Sequence, residues 1–417
     1  MQVLVALVAL ITLTSSIHQS PKPSGIVRVS GRAVADDRGD FPALGASLFW
    51  AAWAYKNDRP RLDSHLKLLA EHNFDYIRAL GVVGRQPAWE GRVIDSRWPD
   101  YDEVIAGLTD HAFDNYGLRI EWTIFGDADQ MVPKPEDRVA LVDRFLAMSK
   151  GREQKIMHFE VANESWQNGF EGARGLEQLR ALARRLDERT SIPVAVSDSE
   201  GHDCADHLAM YRGLDVQILT EHFPRDSEGA AGRWTPVIAP WKVRECKGLP
   251  SVISNNEPIG PRSSVASETD PIKVVAGAVS SWMAGVGLYV FHTDAGVWGR
   301  ESIESMPGSE AILDGLGKAR DYVPGAVANW SRHRAGSPGH PFESDGAIDV
   351  FASIKDDRFF VAAVGVEDAL QLTARRAVEF ATVDPLTGER GQPQSLRQGA
   401  KTSLKGRGMV VIEGRFK

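Results

Sequence analysis

The sequence lacks several features that would assign it to a protein class at once. Its 417 residues include only two cysteines, Cys204 and Cys246, with no Cys-x-x-Cys pair or clustered histidines beside them. The chain therefore has neither a disulfide framework nor a zinc motif, although the two cysteines could pair in an exported protein. It has no excess of positive charge, since the formal net charge is -8, and this argues against a nucleic-acid-binding surface. It also has no internal repeat and no low-complexity tract.

One apolar run occupies the N-terminus, from Val3 to Leu13, and small polar residues follow it. The run is too short to span a membrane as a mature helix, and residues 1–20 resemble a secretory signal peptide, although no Lys or Arg precedes the run. A buried N-terminal segment is the alternative. We expect export to a secreted or periplasmic location, with no stable membrane insertion after signal removal, because nothing nearby supplies turn chemistry for a core strand.

The composition is that of a globular protein, and its apolar residues recur with two alternating periods. Leu62, Leu66 and Leu69 mark one face of a helix, whereas Phe74 to Leu80 has strand character. The alternation continues through residue 323 after a hairpin at residues 26–37. The predicted strands cover residues 44–50, 74–80, 118–125, 156–164, 193–197, 216–223, 251–257 and 287–292.

Eight β/α units of this length favour an α/β fold, a closed (β/α)8 TIM barrel. A doubly wound open sheet is the alternative, but no Gly-rich phosphate turn follows the first strand. After Pro324 the pattern changes to short alternating runs separated by turn residues, at 347–354, 358–366, 377–383 and 408–412. We therefore predict a catalytic barrel with its hairpin at residues 26–325, followed by a small all-β, sandwich-like C-terminal domain at 326–417 that packs on the barrel.

Polar residues stand at the C-terminal ends of the predicted strands, where barrel enzymes hold their active sites. They include two carboxylates, Glu164 after the fourth strand and Glu257 after the seventh. Two acids facing each other across a barrel mouth are the machinery of glycoside hydrolysis, in which one is protonated to serve the leaving oxygen and the other is ionised to attack the anomeric carbon. We therefore expect Glu164 and Glu257 to flank a sugar.

Other residues at these ends suit substrate binding. Asn163 could hold the sugar 2-hydroxyl, Arg78 could keep Glu257 ionised, and His222 could hydrogen-bond either carboxylate or the sugar. Trp166 and Trp298 lie near the mouth and suit pyranose faces, while most of the 11 tryptophans are expected in packing. Glu160 is assigned no catalytic role, because with Glu121, Arg119 and His158 it is expected to form a buried polar layer, to which Arg78 could also belong.

On these residues the chain resembles the clan A retaining glycoside hydrolases with a β/α barrel, and the cellulase-like (family 5-like) enzymes in particular. The resemblance rests on Val161-Ala162-Asn163-Glu164 and Asn255-Asn256-Glu257-Pro258, with Arg78 on strand two and His222 on strand six. It implies Glu164 as acid/base and Glu257 as nucleophile. The segment Val383 to Gly388 likewise resembles the small β domain that follows the barrel in some of these enzymes.

The sequence departs from the clan at strand eight, where a Trp usually ends the strand. Here Phe291-His292 ends it, and either His292 or a Trp298 that reaches back would fill the subsite.

We expect a retaining glycosidase acting on O-glycosidic, β bonds of an oligo- or polysaccharide, with no metal or organic cofactor. A non-catalytic carbohydrate-binding barrel is the alternative. A metal-dependent hydrolase would need ligands among His222, His292 and Asp294, which show no ligand spacing. Sugar, linkage, endo or exo action and oligomeric state stay open.

Overall fold

The computed structural model describes residues 22–84, 86–201, 203–225, 234–243, 246–263, 267–344 and 348–417. The predicted signal peptide, residues 1–20, lies outside the described residues. Within these ranges, no helix combines the length and the apolar character that crossing a bilayer requires.

A small antiparallel sheet closes the N-terminal end of the main domain. Its strands are β1 (Arg28–Ser30), β2 (Ala33–Asp36) and β3 (Gly39–Phe41), so the predicted hairpin is present with a third strand added. Val34 and Phe41 from this sheet share one buried cluster with residues at the start of the strands that follow, including Tyr76 and Val252. The hairpin therefore plugs the end of the barrel opposite to the strand ends that the sequence marks as the site.

Eight parallel strands form a closed barrel in the order β10-β11-β4-β5-β6-β7-β8-β9. This confirms the predicted (β/α)8 TIM barrel and excludes the open sheet, because the first barrel strand pairs with both the second and the eighth. The strands are β4 (Ala43–Ser47), β5 (Tyr76–Val82), β6 (Arg119–Phe125), β7 (Ile156–Ala162), β8 (Val194–Ala195), β9 (Ile218–Thr220), β10 (Val252–Asn255) and β11 (Leu288–Phe291).

Helices follow the strands and bury their apolar stripes against them. Asp58 and Asp270 each cap a helix whose first residues include a proline, a typical start signal. The helices are α1 (Ala51–Asn57), α2 (Arg59–Glu71), α3 (Tyr101–Tyr116), α4 (Ala128–Met131), α5 (Pro135–Ser149), α6 (Gly172–Asp187), α7 (Cys204–Tyr211), α8 (Thr235–Ile238), α9 (Pro240–Val243), α10 (Pro271–Ala284), α11 (Asp294–Trp298) and α12 (Ser309–Tyr322). A disulfide joins Cys204, at the start of α7, to Cys246.

The C-terminal region is all-β, as predicted. It forms a six-stranded sheet, β12-β14-β15-β20-β17-β18, and a three-stranded sheet, β13-β16-β19, which share one apolar core. Residue 347, the first of one predicted strand, lies outside the described residues. The strands are β12 (Ser331–Arg334), β13 (Phe342–Ser344), β14 (Asp349–Lys355), β15 (Arg358–Val366), β16 (Ala369–Ala374), β17 (Val378–Val383), β18 (Gln394–Leu396), β19 (Lys401–Lys405) and β20 (Gly408–Phe416).

The six-stranded sheet turns its other face to the barrel. Phe351, Phe360 and Val411 belong to the same buried cluster as the residues of α10 and α12. Trp241 stacks on Phe351 with ring centroids 4.3 Å apart. The sheet is thus apolar on both faces, and one of these faces packs on the barrel, as predicted.

Candidate active site

A buried ionic layer crosses the barrel just below its C-terminal mouth. Arg78, on β5, is fully buried, with Nε 3.2 Å from Glu121 Oε1 and Nη2 2.7 Å from Glu160 Oε2. His158 lies beside Glu121 at 3.4 Å. The expected polar layer therefore contains Glu121, His158 and Glu160, and Arg78 belongs both to it and to the site above.

The expectation that Arg119 joins this layer is wrong. Arg119 is buried, but its Nη1 lies 3.0 Å from Asp36 Oδ2 in the N-terminal sheet. Because alternate residues of a strand point the same way but are separated by roughly 6.6 Å along it, Arg119 lies one layer below Glu121, at the plugged end of the barrel.

Glu257 follows β10 and has a different arginine at each carboxylate oxygen. Arg78 Nη1 donates to Oε1 at 3.0 Å, and Arg225 Nη1 donates to Oε2 at 3.1 Å. Burial opposes the ionisation of Glu257, but the charges of His222, Arg78 and Arg225 outweigh it and hold its pKa well below the usual range. Glu257 is thus an ionised carboxylate, the state that a nucleophile requires.

Glu164 follows β7 and is more accessible, with 21% of its side chain exposed. Its backbone lies in the left-handed region at φ +39°, which is uncommon for a residue with a side chain and is characteristic of functional sites. Oε2 accepts a hydrogen bond from Gln167 at 2.5 Å, and Oε1 lies 3.4 Å from His222 Nδ1. The strained turn thereby presents this carboxyl group at the mouth of the barrel.

Glu164 and Glu257 line one cavity and lie close together. Carboxylate oxygens of the two residues and a ring nitrogen of His222 all lie within 4.8 Å of one another. The cavity has a volume of about 240 Å³ and is bordered by Asn163, Trp89 and Trp298 as well. The two carboxylates predicted to meet across the barrel mouth therefore do meet there.

His222 lies between these carboxylates and is 4% exposed. Its Nδ1 is 3.4 Å from Asp198 Oδ2 and 3.8 Å from Glu257 Oε2. Burial opposes the protonation of the ring, but Asp198, Glu257 and Glu164 raise the pKa of His222 to about 10. His222 is therefore a cation at neutral pH and lies between the carboxyl groups of Glu164 and Glu257.

His292, at the end of β11, differs from His222 in its charge. Its Nδ1 is 3.0 Å from Ser47 Oγ, and its Nε2 is 3.7 Å from Glu257 Oε2. Burial lowers the pKa of His292 to about 3, so this ring is neutral at neutral pH. It borders the cavity and links the last barrel strand to the first.

Asn163 and Trp298 also border the cavity. The side-chain oxygen of Asn163 accepts a hydrogen bond from Arg78 at 2.8 Å, which orients its amide nitrogen to donate to a ligand. Trp298 ends α11 and reaches back to pack edge-on against Trp89 at 4.8 Å. The close approach of α11 to the end of β4 depends on Gly296, where a Cβ atom would come within 2.2 Å of the Ser47 carbonyl oxygen.

Of the predicted site residues within the described ranges, Trp166 is the one that neither borders the cavity nor contacts Glu257. It follows Ser165 in the loop after Glu164 and is half-buried. Its role in substrate binding therefore stays a prediction.

Four further residues form the site but were not selected from the sequence: Asp127, Asp198, Arg225 and Trp89. Asp127 follows the third strand and borders the cavity, where it accepts hydrogen bonds from the Gly84 amide at 2.6 Å and from Gln86 at 2.9 Å. The rule that selected Glu164, a polar residue at a strand end, would also have selected Asp127 and Asp198. Arg225 and Trp89 lie further along their loops, where no periodicity marks them.

No family model matches the sequence, and no curated protein matches it either. Solved structures do match the fold. A structure described as a glycoside hydrolase has a TM-score of 0.66 at 11% identity, covering 94% of this chain and 97% of that one. A family 5 glycoside hydrolase from Bacteroides vulgatus has a TM-score of 0.63 at 12% identity, covering 94% of each chain. An α-amylase from Geobacillus thermoleovorans reaches 0.60 at 12% identity, covering 90% and 98%. At these identities the likenesses show the shared fold.

Proposed function

We propose that this chain is a retaining glycoside hydrolase that cleaves O-glycosidic bonds of β configuration in an oligo- or polysaccharide. The observation that carries the proposal is the pairing of Glu164 and Glu257, with oxygens within 4.8 Å at the barrel mouth. Retaining enzymes separate their two carboxyl groups by about 5–5.5 Å, whereas inverting enzymes need about 6.5–9.5 Å to admit a water. The spacing therefore favours double displacement.

The two acids have unequal surroundings, and these assign their roles. Glu257 is held ionised by cations on both oxygens and is the nucleophile. Glu164 has the more exposed side chain and borders the open cavity, so it is placed to donate a proton to the leaving oxygen. In this scheme a Glu257 oxygen bonds to the anomeric carbon as the bond to the leaving group breaks. Glu164 then deprotonates the water that releases the sugar and regenerates Glu257.

The binding groups suit a neutral, hydroxyl-rich ring. Trp298 and Trp89 supply apolar faces, and Asn163 supplies an amide donor next to Glu164. Structures described as a family 5 glycoside hydrolase and an α-amylase share the fold, so the barrel alone leaves the anomeric configuration open. The Asn-Glu pair on strand four and the Glu on strand seven support the β assignment.

A metal-dependent hydrolase is the second candidate, because Glu164, His222 and Glu257 offer three ligand atoms within 4.8 Å of one another. The charges disfavour it. Both oxygens of Glu257 already bind arginines, and His222 is held in the protonated form, which has no lone pair for a metal. Activity that survives dialysis against a chelator would support the carboxylate mechanism.

The decisive experiment is a panel of aryl α- and β-glycosides and polysaccharides tested with the wild-type chain, Glu257→Ala, Glu164→Ala and Glu177→Ala. Glu177 lies exposed on α6 and is the matched control. We expect Glu257→Ala to abolish turnover, and Glu164→Ala to slow it except on substrates with good leaving groups. Proton NMR of the first product should show the retained anomer. Hydrolysis by Glu257→Ala at the wild-type rate would end the assignment, and sugar binding without turnover would favour a carbohydrate-binding barrel.

We also propose that the chain is exported. The apolar run at residues 3–13 and the disulfide between Cys204 and Cys246 support this, because disulfides persist in oxidising compartments. Mass spectrometry of the protein recovered outside the cytoplasm should show cleavage near residue 20. An intact N-terminus on protein that stays with the cytoplasm would contradict the proposal.

A further inference from the structure

Glu257 binds a second arginine, Arg225, to which the reaction scheme gives no role beyond its charge. Arg225 lies in the loop after β9, is 8% exposed, and donates from Nη1 to Glu257 Oε2 at 3.1 Å. Arg78 holds the other oxygen from β5. The two guanidinium groups come from different elements, so each can be removed without moving the strand that carries the other.

We propose that Arg225 is a positioning residue for Glu257, one that fixes the plane of the carboxylate and stabilises it as the leaving group of the second step. The inference rests on the proposed function. A single charged hydrogen bond at one oxygen leaves the carboxylate free to rotate about its terminal torsion, whereas donors at both oxygens define its plane. Arg78 cannot supply both, because its remaining nitrogens contact Glu121, Glu160 and Asn163.

The two chemical steps depend on this contact differently. In the first step Glu257 bonds to the anomeric carbon, the bond to the leaving oxygen breaks with a proton from Glu164, and the carboxylate becomes a neutral ester. In the second step water gives a proton to Glu164 and bonds to that carbon, the ester bond breaks, and its electron pair returns to Glu257 as negative charge. A cation at Oε2 stabilises the departing carboxylate but makes the attacking one less nucleophilic. Loss of Arg225 should therefore slow the second step more than the first.

Charged and titratable side chains from four strands, or from the loops that follow them, surround Glu257. Arg78 lies on β5, His222 and Arg225 follow β9, His292 ends β11, and Glu164 follows β7. With Arg225 removed, Arg78 and His222 still face the carboxylate, so Glu257 should stay ionised at neutral pH. The acid limb of kcat/KM should move to higher pH, because one of the groups that favours the ionised form is gone.

The test compares wild type, Arg225→Ala, Arg225→Lys, Glu257→Ala and Arg185→Ala on an aryl glycoside with a good leaving group. Arg185 on α6 pairs with Asp143 through two hydrogen bonds on the outer surface and is the matched control. For Arg225→Ala we expect a fall in kcat of about tenfold or more, a lower KM, a burst of aryl release, and a glycosyl-enzyme visible by intact-protein mass spectrometry. Arg225→Lys should restore the acid limb of kcat/KM but only part of kcat, because lysine keeps the charge without the planar fork.

Three outcomes distinguish the possibilities. Accumulation of the intermediate in Arg225→Ala, absent from wild type and Arg185→Ala, supports the role, since a merely disturbed fold would slow both steps. Equal loss in both steps without a burst, or kcat within twofold of wild type, overturns it while the enzyme assignment stands. If Glu257→Ala turns over as fast as wild type, the proposed function fails and this inference fails with it. If Arg225→Ala does not fold, Arg225→Lys carries the same test.

Discussion

Asp198 holds His222 at two points. One carboxylate oxygen accepts a hydrogen bond from the His222 backbone amide at 3.0 Å, and the other lies 3.4 Å from Nδ1 of the same residue. The contact joins the loops that follow β8 and β9 and keeps a protonated imidazole between Glu164 and Glu257.

Asp198→Asn should lower the pKa of His222 from about 10, because the negative charge that raises it most is removed while burial persists. NMR titration of the ring would measure the shift directly. His72→Gln, which changes a histidine that pairs with Asp314 outside the barrel mouth, serves to assign resonances and should leave the His222 titration unchanged. An unaltered pKa in Asp198→Asn would contradict this account of the contact.

His222 should also stabilise the fold in a pH-dependent way. Its pKa is raised to about 10 in the folded chain from roughly 6.5 in the unfolded chain. The contribution is therefore fully present below about pH 6.5 and is lost as the pH rises through about 10. The difference in free energy of unfolding between wild type and His222→Gln should shrink across this interval in denaturant titrations. A difference that grows with pH would mean that His222 is neutral in the folded state.

Arg78→Ala should destabilise the chain by about 3–5 kcal/mol, because it leaves Glu121 and Glu160 buried without their shared cation. Arg185→Ala breaks an exposed, solvent-screened pair and should change the free energy of unfolding much less. Urea unfolding of both variants gives the comparison. Equal, small losses would show that the buried carboxylates are neutralised by protonation instead.

Trp298→Ala should raise KM more than Trp166→Ala does. Trp298 borders the cavity and Trp166 does not, so truncating Trp298 removes an apolar face from the proposed sugar site. An aromatic contact of about 0.5–1.5 kcal/mol corresponds to a change of up to roughly tenfold in affinity. Michaelis kinetics on the best substrate of the panel would measure both variants. A larger effect of Trp166 would support its predicted role in binding.

Cys204→Ser should lower the free energy of unfolding by about 2–4 kcal/mol, because the bond closes a loop between residues 42 apart in sequence. Reduction of the wild-type chain should cause a similar loss. Since α7 carries His207, which pairs with the buried Glu221 next to His222, kcat should fall alongside stability. Stability that is the same with and without reductant would contradict the prediction.

The sequence predicted the barrel because its period-two and helical patterns are strong wherever one face of an element is buried. It also assigned Arg78, Glu164, His222 and Glu257 to the C-terminal ends of the correct barrel strands, and the order of the strands determines the order of these residues around the mouth. Short strands such as β13 and β18, each with exposed or half-buried residues, carry too little pattern to be recognised.

The rest of the site depends on distances that chain order does not encode. Arg225 lies in the loop after β9 and contacts Glu257 in the loop after β10. Arg119 points into the barrel as Glu121 does, but it pairs with Asp36 in a lower layer. The alternation of side chains along a strand shows which way a side chain points, but it does not show at which level of the barrel a partner from another element lies.

Ser47 and His292, which are 245 residues apart, share a hydrogen bond across the place where the first and eighth strands meet. The surroundings of Glu257 are therefore complete only after the first and eighth strands have paired. Recovery of turnover during refolding should coincide with that final joining and should not precede it, so enzymatic activity can serve as a clock for the last long-range step in the assembly of this domain.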